Sequence, residues 1–359
     1  MKVAFSFSPV FSKMHNKSTK QWERYFDDLG IRKDISGKYL KYIQRLNDSG
    51  FPVIFEFSHL AKLLGRNEEY LASVINATNY HYRIYSIPKR SGGLRKISAP
   101  YPALLECQRW INENILSKIH VHEAAHGFIT GKSIKSNAEK HLGSNNLLKL
   151  DLKDFFPSIK KNQIIQIFKE CGYPNNISFY LASICCLDNC LPQGAATSPA
   201  LSNIITYGLD SRLSGLSLKY GLIYSRYADD LTFSGDKISI KTKEIILKII
   251  IEQGFVINKE KIHLCRSKGK RIVTGLSVAG QKLMVPREYK RKLRQDVHYI
   301  IKYSHVSQAK YRGIKNPFFL DSIYGKLVFW NNIEPNNIFV KESMENIRKL
   351  NTIKSKTEL

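Results

Sequence analysis

The stretch that most constrains the chain is RYADDL at positions 226–231, in which Asp229 and Asp230 are adjacent. Apolar residues flank it on both sides, and apolar runs around a short polar centre are typical of a β-hairpin whose tip carries the polar residues. Neighbouring carboxylates repel each other, so a tip that keeps both ionised is hard to explain without a cation. Mg²⁺ binds carboxylate oxygens and leaves coordination positions for substrate phosphates.

A third carboxylate comes from a separate stretch, LKLDLK at 148–153. Leucines alternate there with charged residues, which predicts a half-buried strand with Asp151 on its polar face. If this strand lies beside the hairpin, the three acids can hold two Mg²⁺ ions about 3.5–4 Å apart. Such a pair of ions supports in-line displacement at a phosphate.

Three blocks of the sequence resemble the palm motifs of reverse transcriptases. YADD at 227–230 is similar to their Y-x-D-D motif, LDLKDFFPS at 150–158 to their first palm motif, and LPQGAATSP at 191–199 to the motif between them. Three blocks in the right order are far more specific than one tetrapeptide. The resemblance implies an α+β right-hand polymerase fold, with fingers, a palm built on an antiparallel sheet and a helical thumb. It also implies two Mg²⁺ ions and catalysis by Asp151, Asp229 and Asp230.

Two shorter elements resemble those of bacterial retron reverse transcriptases. NAEKH at 137–141 is similar to their N-A-x-x-H element, and VTG at 273–275 to their V-T-G element. The resemblance implies a dedicated structured noncoding RNA as template and primer, and a branched RNA-linked single-stranded DNA (msDNA) as product. It further implies a separate effector protein in anti-phage defence. The RNA-binding candidates in these elements are Asn137, His141, Val273, Thr274 and Gly275.

A basic hairpin is predicted between Tyr82 and Ile97, where two strand-like runs surround a loop with two glycines. In the reverse transcriptase fingers a similar hairpin contacts the incoming deoxynucleoside triphosphate. The residues that match it are Lys89, Arg95 and Lys96. The alternative is a solvated basic turn with no ligand.

Further nucleotide contacts are implied by the palm blocks. Phe156 lies where the family places a bulky residue under the sugar, which excludes a 2′-hydroxyl; Phe155 beside it is either a second contact or a core residue. Asp154 is placed near the triphosphate or starts a helix, and Gln193 bonds the nucleotide or is a loop amide. Lys261 lies in a block similar to the fourth palm motif, where a lysine near the pyrophosphate acts as an acid.

The charge balance indicates a polyanionic partner. The chain has 56 Lys and Arg against 30 Asp and Glu, a net charge of +26, which favours nucleic acid; a basic, well-solvated surface is the alternative. Lys290, Arg291 and Arg294 begin a helical, basic segment that looks like the retron thumb, which grips a duplex by its backbone.

A cytoplasmic protein is expected, with no membrane partner. The sequence has no apolar run of about 18 residues, its first seven residues lack a signal-peptide core, and its six cysteines lack a disulfide spacing. The predicted organisation is a helical N-terminal extension (1–80), fingers (81–145), palm (146–284, with part of 159–200 contributing to the fingers) and a helical basic thumb (285–359).

Three other functions remain open. A reverse transcriptase of another bacterial lineage, group II intron-like or of abortive-infection type, would use a different RNA. A catalytically idle RNA-binding scaffold would tolerate loss of the acids. A zinc protease is suggested by HEAAH at 122–126, but that motif needs a continuous helix and a further ligand, and Gly127 with an extended-looking run follows it.

Overall fold

The computed structural model describes residues 19–89, 92–266, 269–314 and 317–357. The first seven residues and residues 90 and 91 of the basic hairpin lie outside this range. No helix in the described part of the chain has the length and apolarity to cross a membrane. The helices are α1 (Thr19–Asp28), α2 (Lys33–Asp48), α3 (Phe57–Leu63), α4 (Glu68–Asn76), α5 (Pro102–Asn114), α6 (Ile134–Glu139), α7 (Phe155–Ser158), α8 (Lys161–Glu170), α9 (Asn175–Cys185), α10 (Ser198–Ile205), α11 (Tyr207–Lys219), α12 (Ile240–Glu252), α13 (Arg287–Tyr303), α14 (His305–Tyr311), α15 (Phe319–Ile333) and α16 (Ile338–Thr357).

The chain forms two compact units, each assembled from three separate segments. One unit holds the described chain up to Phe128 together with 152–213 and 247–257, and the other holds 129–151, 214–246 and 258–359. The four segments predicted from the sequence, namely the N-terminal extension, fingers, palm and thumb, are defined differently from these two units. The boundaries of those four segments stay a prediction. The strands are β1 (Tyr82–Pro88), β2 (Leu94–Pro100), β3 (Asn146–Asp151), β4 (Ile223–Tyr227), β5 (Asp230–Gly235), β6 (His263–Cys265), β7 (Ile272–Val273) and β8 (Leu276–Ser277).

The first unit begins with the helices α1 to α4. Trp22 and Phe26 are buried on one face of α1, and Asn67 caps α4 by accepting a hydrogen bond from the backbone N–H of Tyr70, a favourable N-cap. The Tyr173 hydroxyl donates a 2.9 Å hydrogen bond to the Pro52 carbonyl oxygen. This contact ties the N-terminal helices to the turn between α8 and α9.

The first unit also contains a two-stranded antiparallel ribbon, β1–β2. This ribbon is the basic hairpin that was predicted between Tyr82 and Ile97. Its register runs from Tyr82 opposite Pro100 to Pro88 opposite Leu94. The backbone N–H of Ser98 in β2 donates to the Gln193 carbonyl oxygen over 2.8 Å. The next residue, Gly194, has φ 129°, and a Cβ built on it would lie 2.7 Å from the Ser98 carbonyl oxygen. Glycine is therefore required at position 194 because the backbone of the ribbon lies against it.

The second unit contains a four-stranded antiparallel sheet in the order β4-β5-β3-β6. The expected alternation holds from Leu148 onward in β3, because Lys149 and Asp151 lie on the face opposite Leu148 and Leu150. Asp151 pairs with Asp230, and Lys149 with Thr232. The apolar face of the sheet is buried and carries Leu148, Leu150, Leu231 and Phe233. Apolar burial on one face fixes the register, because a one-residue slip would turn every side chain over.

The helices α13, α15 and α16 of the second unit share an apolar core around Trp330. Leu327 and Trp330 of α15 are fully buried, and Val297 of α13 and Val340 of α16 pack in the same cluster. The predicted helical character of this basic segment is therefore confirmed for the described residues, and its stability derives from burial of one face of each helix.

Replacing Gly194 with alanine should destabilise the first unit. The new Cβ would meet the Ser98 carbonyl oxygen at a backbone angle that disfavours any side chain, at a cost of about 1–3 kcal/mol. The measurement is urea unfolding followed by circular dichroism. Gly215→Ala is the matched control: Gly215 lies within α11 with no atom within 4 Å of the added Cβ, and alanine should stabilise that helix by up to about 1 kcal/mol. Equal unfolding midpoints for the two variants would contradict this account.

Candidate active site

The acids Asp229 and Asp230 lie at the tip of the predicted hairpin. Tyr227 at the end of β4 pairs with Asp230 at the start of β5, which leaves Ala228 and Asp229 as a two-residue turn. Ala228 has φ 56°, a left-handed conformation that costs a non-glycine residue roughly 1–2 kcal/mol. The fully buried Arg226 donates a 3.1 Å hydrogen bond to the Ala228 carbonyl oxygen. The strained turn is thus fixed by a side chain from its own strand.

The third acid, Asp151, lies beside this turn, as the sequence predicted. Asp151 is 8% exposed and is the direct cross-strand partner of Asp230. Side chains directly opposite each other in an antiparallel pair have Cβ atoms about 4.5–5.5 Å apart, and like charges there are destabilising. The two strands therefore converge at a point where carboxylates repel.

Burial adds to this repulsion. Burial, and then the neighbouring Asp230 and Asp151, raise the pKa of Asp229 to about 6. Burial also raises the pKa of Asp230, although Lys149 on the same sheet face opposes the shift. Both carboxylates are consequently harder to ionise than in water, and a bound cation would reverse this.

A lysine already neutralises part of the charge. The Lys261 Nζ lies 2.8 Å from Oδ2 of Asp151, and this hydrogen bond raises the pKa of the Lys261 ammonium. Lys261 follows Asn258, whose backbone N–H donates to the Asp151 carbonyl oxygen over 2.9 Å. Lys261, predicted to act as an acid near the pyrophosphate, therefore contacts Asp151, and the acid role itself stays a prediction. Its raised pKa makes it a weaker acid while it stays paired with Asp151.

The donor set fits a hard dication. It consists of carboxylate oxygens, which Mg²⁺ prefers, and Mg²⁺ completes its coordination with waters and substrate phosphates and seldom with a full cage of protein ligands. The described residues contain no group of three or more His, Cys, Asp or Glu side chains already converged for a metal.

The nucleotide candidates of the first unit have different environments. Lys89, Arg95 and Lys96 are exposed on the ribbon, and Asp154 is exposed at φ 48° before α7 without capping it. Gln193 is half-buried, and its carbonyl oxygen accepts a hydrogen bond from the backbone of β2.

The two adjacent phenylalanines differ in burial. Phe155 is 4% exposed, with its ring 6.0 Å from that of Phe255, so it is a core residue, which corrects its prediction as a nucleotide contact. Phe156 is half-buried, with its ring 6.2 Å from that of Phe128.

The RNA-binding candidates of the two short elements are mostly buried, which is a second correction. The side chains of Asn137, His141 and Val273 are at most 1% exposed and do not reach a polyanion at the surface. The Thr274 hydroxyl donates to the Ile134 carbonyl oxygen over 2.8 Å. Of this set, only Gly275 is exposed.

The basic helix α13 divides its cations between two roles. The Lys290 side chain is 12% exposed and lies 2.7 Å from Glu334, so its charge is neutralised there, and its role as an RNA contact stays a prediction. Arg291 and Arg294 are exposed, and the Arg294 guanidinium lies 5.3 Å from the Trp330 ring centre, within cation–π range. Arg287, Arg291 and Arg294 line an open groove of about 530 Å³.

The zinc-protease alternative is excluded by the backbone. The residues from His122 to His126 lie in turns between α5 and α6 and not in a helix. The two histidines therefore do not share a helical face, which the H-E-x-x-H site requires.

Four residues near the acids were missed by the sequence analysis: Lys149, Arg226, Ser225 and Ser234. Lys149 shares the polar alternation of Asp151, so that pattern could have identified it. Arg226 precedes the Y-x-D-D motif but carries no sign that it is buried. Ser225 and Ser234 look like ordinary strand serines, and only their contacts with His141, at 2.7 Å each, mark them.

Comparison with known proteins agrees with this geometry. Residues 87–315 match the family "Reverse transcriptase (RNA-dependent DNA polymerase)". The chain is 37% identical to the retron Ec86 reverse transcriptase of Escherichia coli over 74% of this chain and 84% of that protein. It is 38% identical to the retron Mx65 reverse transcriptase of Myxococcus xanthus, over 61% of this chain but only 56% of that protein.

Two solved structures show weaker similarity. A foamy viral protease-reverse transcriptase bound to double-stranded DNA has a TM-score of 0.44 and 20% identity, over 76% of this chain and 39% of that chain. A Candida albicans telomerase bound to a fragment of telomeric RNA has a TM-score of 0.44 and 12% identity, over 75% of this chain and 63% of that chain. This chain spans less than two thirds of either.

Replacing Asp229 with asparagine should stabilise the metal-free protein at alkaline pH. The pKa of about 6 in the folded protein lies above the ordinary 3.8. At low pH Asp229 is protonated in both the folded and the unfolded state and does not affect stability, whereas at pH 8 its ionisation lowers the free energy of unfolding by on the order of 3 kcal/mol. The gain for Asp229→Asn should be roughly half as large at pH 5. The measurement is thermal unfolding in EDTA. Asp27→Asn, at an exposed acid of α1, is the control, and no gain at pH 8 would contradict the assigned electrostatics.

Proposed function

The chain belongs to the retron type of the reverse transcriptase family, and we propose that it copies a dedicated structured noncoding RNA into msDNA. RNA-directed DNA polymerisation is the activity of this family, and RNA template and DNA product are its partners. The observation that carries the proposal is the meeting of Asp151, Asp229 and Asp230 on adjacent strands of one unit. The names of the retron relatives support the finer assignment.

The acids have separate roles in the proposed reaction. Reverse transcriptases use divalent metal ions, and we propose two Mg²⁺ held by Asp151 and Asp229, with Asp230 supporting. When bound, such ions activate the primer hydroxyl and stabilise charge on the departing pyrophosphate. The left-handed turn at Ala228 orients Asp229, and Arg226 holds that turn. Positioning and charge stabilisation supply most of the acceleration.

Lys261 contributes a positive charge beside the acids. Its ammonium is held on Asp151 at 2.8 Å, and its raised pKa keeps it charged at neutral pH. It offsets the negative charge of the site and is available to the pyrophosphate. A proton-donor role requires Lys261 to leave Asp151 first, because the ion pair opposes proton loss.

Other parts of the chain bind substrate in this proposal. The exposed Lys89, Arg95 and Lys96 neutralise the deoxynucleoside triphosphate, and Asp154 and Gln193 lie near it. The exposed Arg291 and Arg294 bind the duplex backbone, without sequence preference. The fingers, palm and thumb segments, a cytoplasmic location, a separate effector protein and a role in anti-phage defence complete the proposal.

Expression of the chain together with its flanking genomic DNA should yield an RNA-linked DNA. We expect the purified protein to carry one defined RNA and a single-stranded DNA that migrates differently after ribonuclease treatment. Asp229→Asn should bind the same RNA but lower DNA synthesis on the order of a thousandfold or more, because a metal ligand is lost; Asp27→Asn is the control. DNA without a branch would indicate another lineage of reverse transcriptase. Unchanged function in Asp229→Asn would indicate a scaffold.

Replacing Phe156 with alanine should weaken selection against ribonucleotides. Removal of the ring opens space for a 2′-hydroxyl, and the ratio of kcat/KM for dGTP over GTP should fall by on the order of a hundredfold. The assay is single-nucleotide extension on a poly(rC) template with an oligo(dG) primer. Phe155→Leu is the control, since the buried Phe155 should affect stability and leave this ratio unchanged. An unchanged ratio in Phe156→Ala would remove Phe156 from the sugar site.

A further inference from the structure

We propose that His141 is a positioning residue that holds the two strands of the catalytic hairpin together. This inference rests on the proposed function, because it assumes that the hairpin carries the catalytic acids. It gives the N-A-x-x-H element a role that its burial allows. A direct RNA contact through the His141 side chain would require the imidazole to leave the protein interior.

The imidazole bridges the strands β4 and β5. Its Nδ1 lies 2.7 Å from the Ser234 hydroxyl in β5, and its Nε2 lies 2.7 Å from the Ser225 hydroxyl in β4. All three side chains are fully buried. Ser234 pairs with Ile223, and Ser225 pairs with Thr232, so the two serines lie diagonally on one face. One side chain from outside the hairpin therefore bonds to both of its strands.

The same sheet face carries the catalytic carboxylates. Ser225, Ser234 and Asp230 point to one side because residues opposite each other in an antiparallel pair share a face and alternate residues along a strand do as well. Asp230 lies four residues from Ser234, about 13 Å along the strand. A shift of β4 against β5 at His141 is therefore transmitted along the ladder to the turn.

Each ring nitrogen of the imidazole is matched to one serine hydroxyl, and the Ser144 hydroxyl donates to the Ser234 oxygen over 3.0 Å. These hydrogen bonds offset the cost of burying a polar ring.

The His141 bridge is anchored to α6 and to the β7–β8 ribbon, which pack together. His141 follows α6, whose first turn is fixed by reciprocal hydrogen bonds between Ser133 and Ser136, and α6 lies against β4, β7 and β8. Ala138 packs with Val273 in one apolar cluster, and Thr274 bonds to the first residue of α6. The N-A-x-x-H and V-T-G elements thus form one brace, to which His141 attaches the hairpin.

The test separates turnover from binding. The full-length protein is assayed with poly(rA), an oligo(dT) primer, dTTP and Mg²⁺. Ser225→Ala and Ser234→Ala should each lower kcat several-fold, and His141→Leu should lower it on the order of a hundredfold, as for a displacement of about 1 Å at reacting groups. The KM for dTTP and the Kd for the template–primer should change less than twofold. His141→Gln, which restores a donor and an acceptor, should recover part of the lost kcat.

Ser178→Ala is the matched control for the serine variants. Ser178 is also fully buried and donates a 3.2 Å hydrogen bond to a backbone carbonyl oxygen in the first unit, which does not contain the hairpin strands. We expect its kcat to equal that of the wild type. A fall as large as that of Ser225→Ala would mean that any buried serine matters, and would overturn a specific role for the bridge.

Two results would overturn the brace while leaving the proposed function intact. One is an unchanged kcat in both serine variants while Asp229→Asn is inactive. The other is a loss of template–primer affinity with kcat unchanged in His141→Gln, which would assign His141 to RNA binding. If His141→Leu does not fold, the serine variants decide. Activity of Asp229→Asn equal to that of the wild type would instead refute the proposed function itself.

Discussion

Repulsion among three carboxylates, one buried and two half-buried, is the constraint on which the surrounding structure depends. Asp151 and Asp230 are cross-strand partners and Asp229 occupies the adjoining turn. Main-chain pairing places Asp151 and Asp230 opposite each other, and the tight turn between β4 and β5 places Asp229 next to them. Lys261 and Lys149 offset only part of this charge. The carboxylates are therefore preorganised to bind a cation, because the fold fixes them close together before any cation binds.

The sheet and its acids were predictable because their signals are local. Alternation in β3 placed Asp151 on the polar face, and apolar runs around Asp229 and Asp230 indicated the hairpin. The pairing of Asp151 with Asp230 needed the resemblance to palm motifs, because periodicity cannot tell which strands become neighbours. The same limit applies to Lys261, which reaches Asp151 from more than one hundred positions away.

The predictions differ from the structure where a charge or a motif was taken to imply an exposed side chain. Lys290 was predicted as a nucleic-acid contact because it lies in a basic segment, yet it is paired with Glu334 and packed near the Trp330 ring. Asn137 and His141 were predicted as RNA contacts because their element resembles one of the retron enzymes, yet they are buried. Phe155 and Phe156 are adjacent and chemically identical, and only the backbone direction at α7 puts one into the core. Burial depends on tertiary contacts that no short pattern contains.

The strand order β4-β5-β3-β6 has a consequence during protein synthesis. The ribosome releases β3 long before β4, β5 and β6, so Asp151 emerges with both edges of its strand unpaired. Until β6 at His263–Cys265 has been made, the nascent sheet lacks one neighbour, and an unpaired strand edge invites pairing with other chains. The sheet that carries the three acids is therefore completed only after β6 has been translated, more than one hundred positions after Asp151.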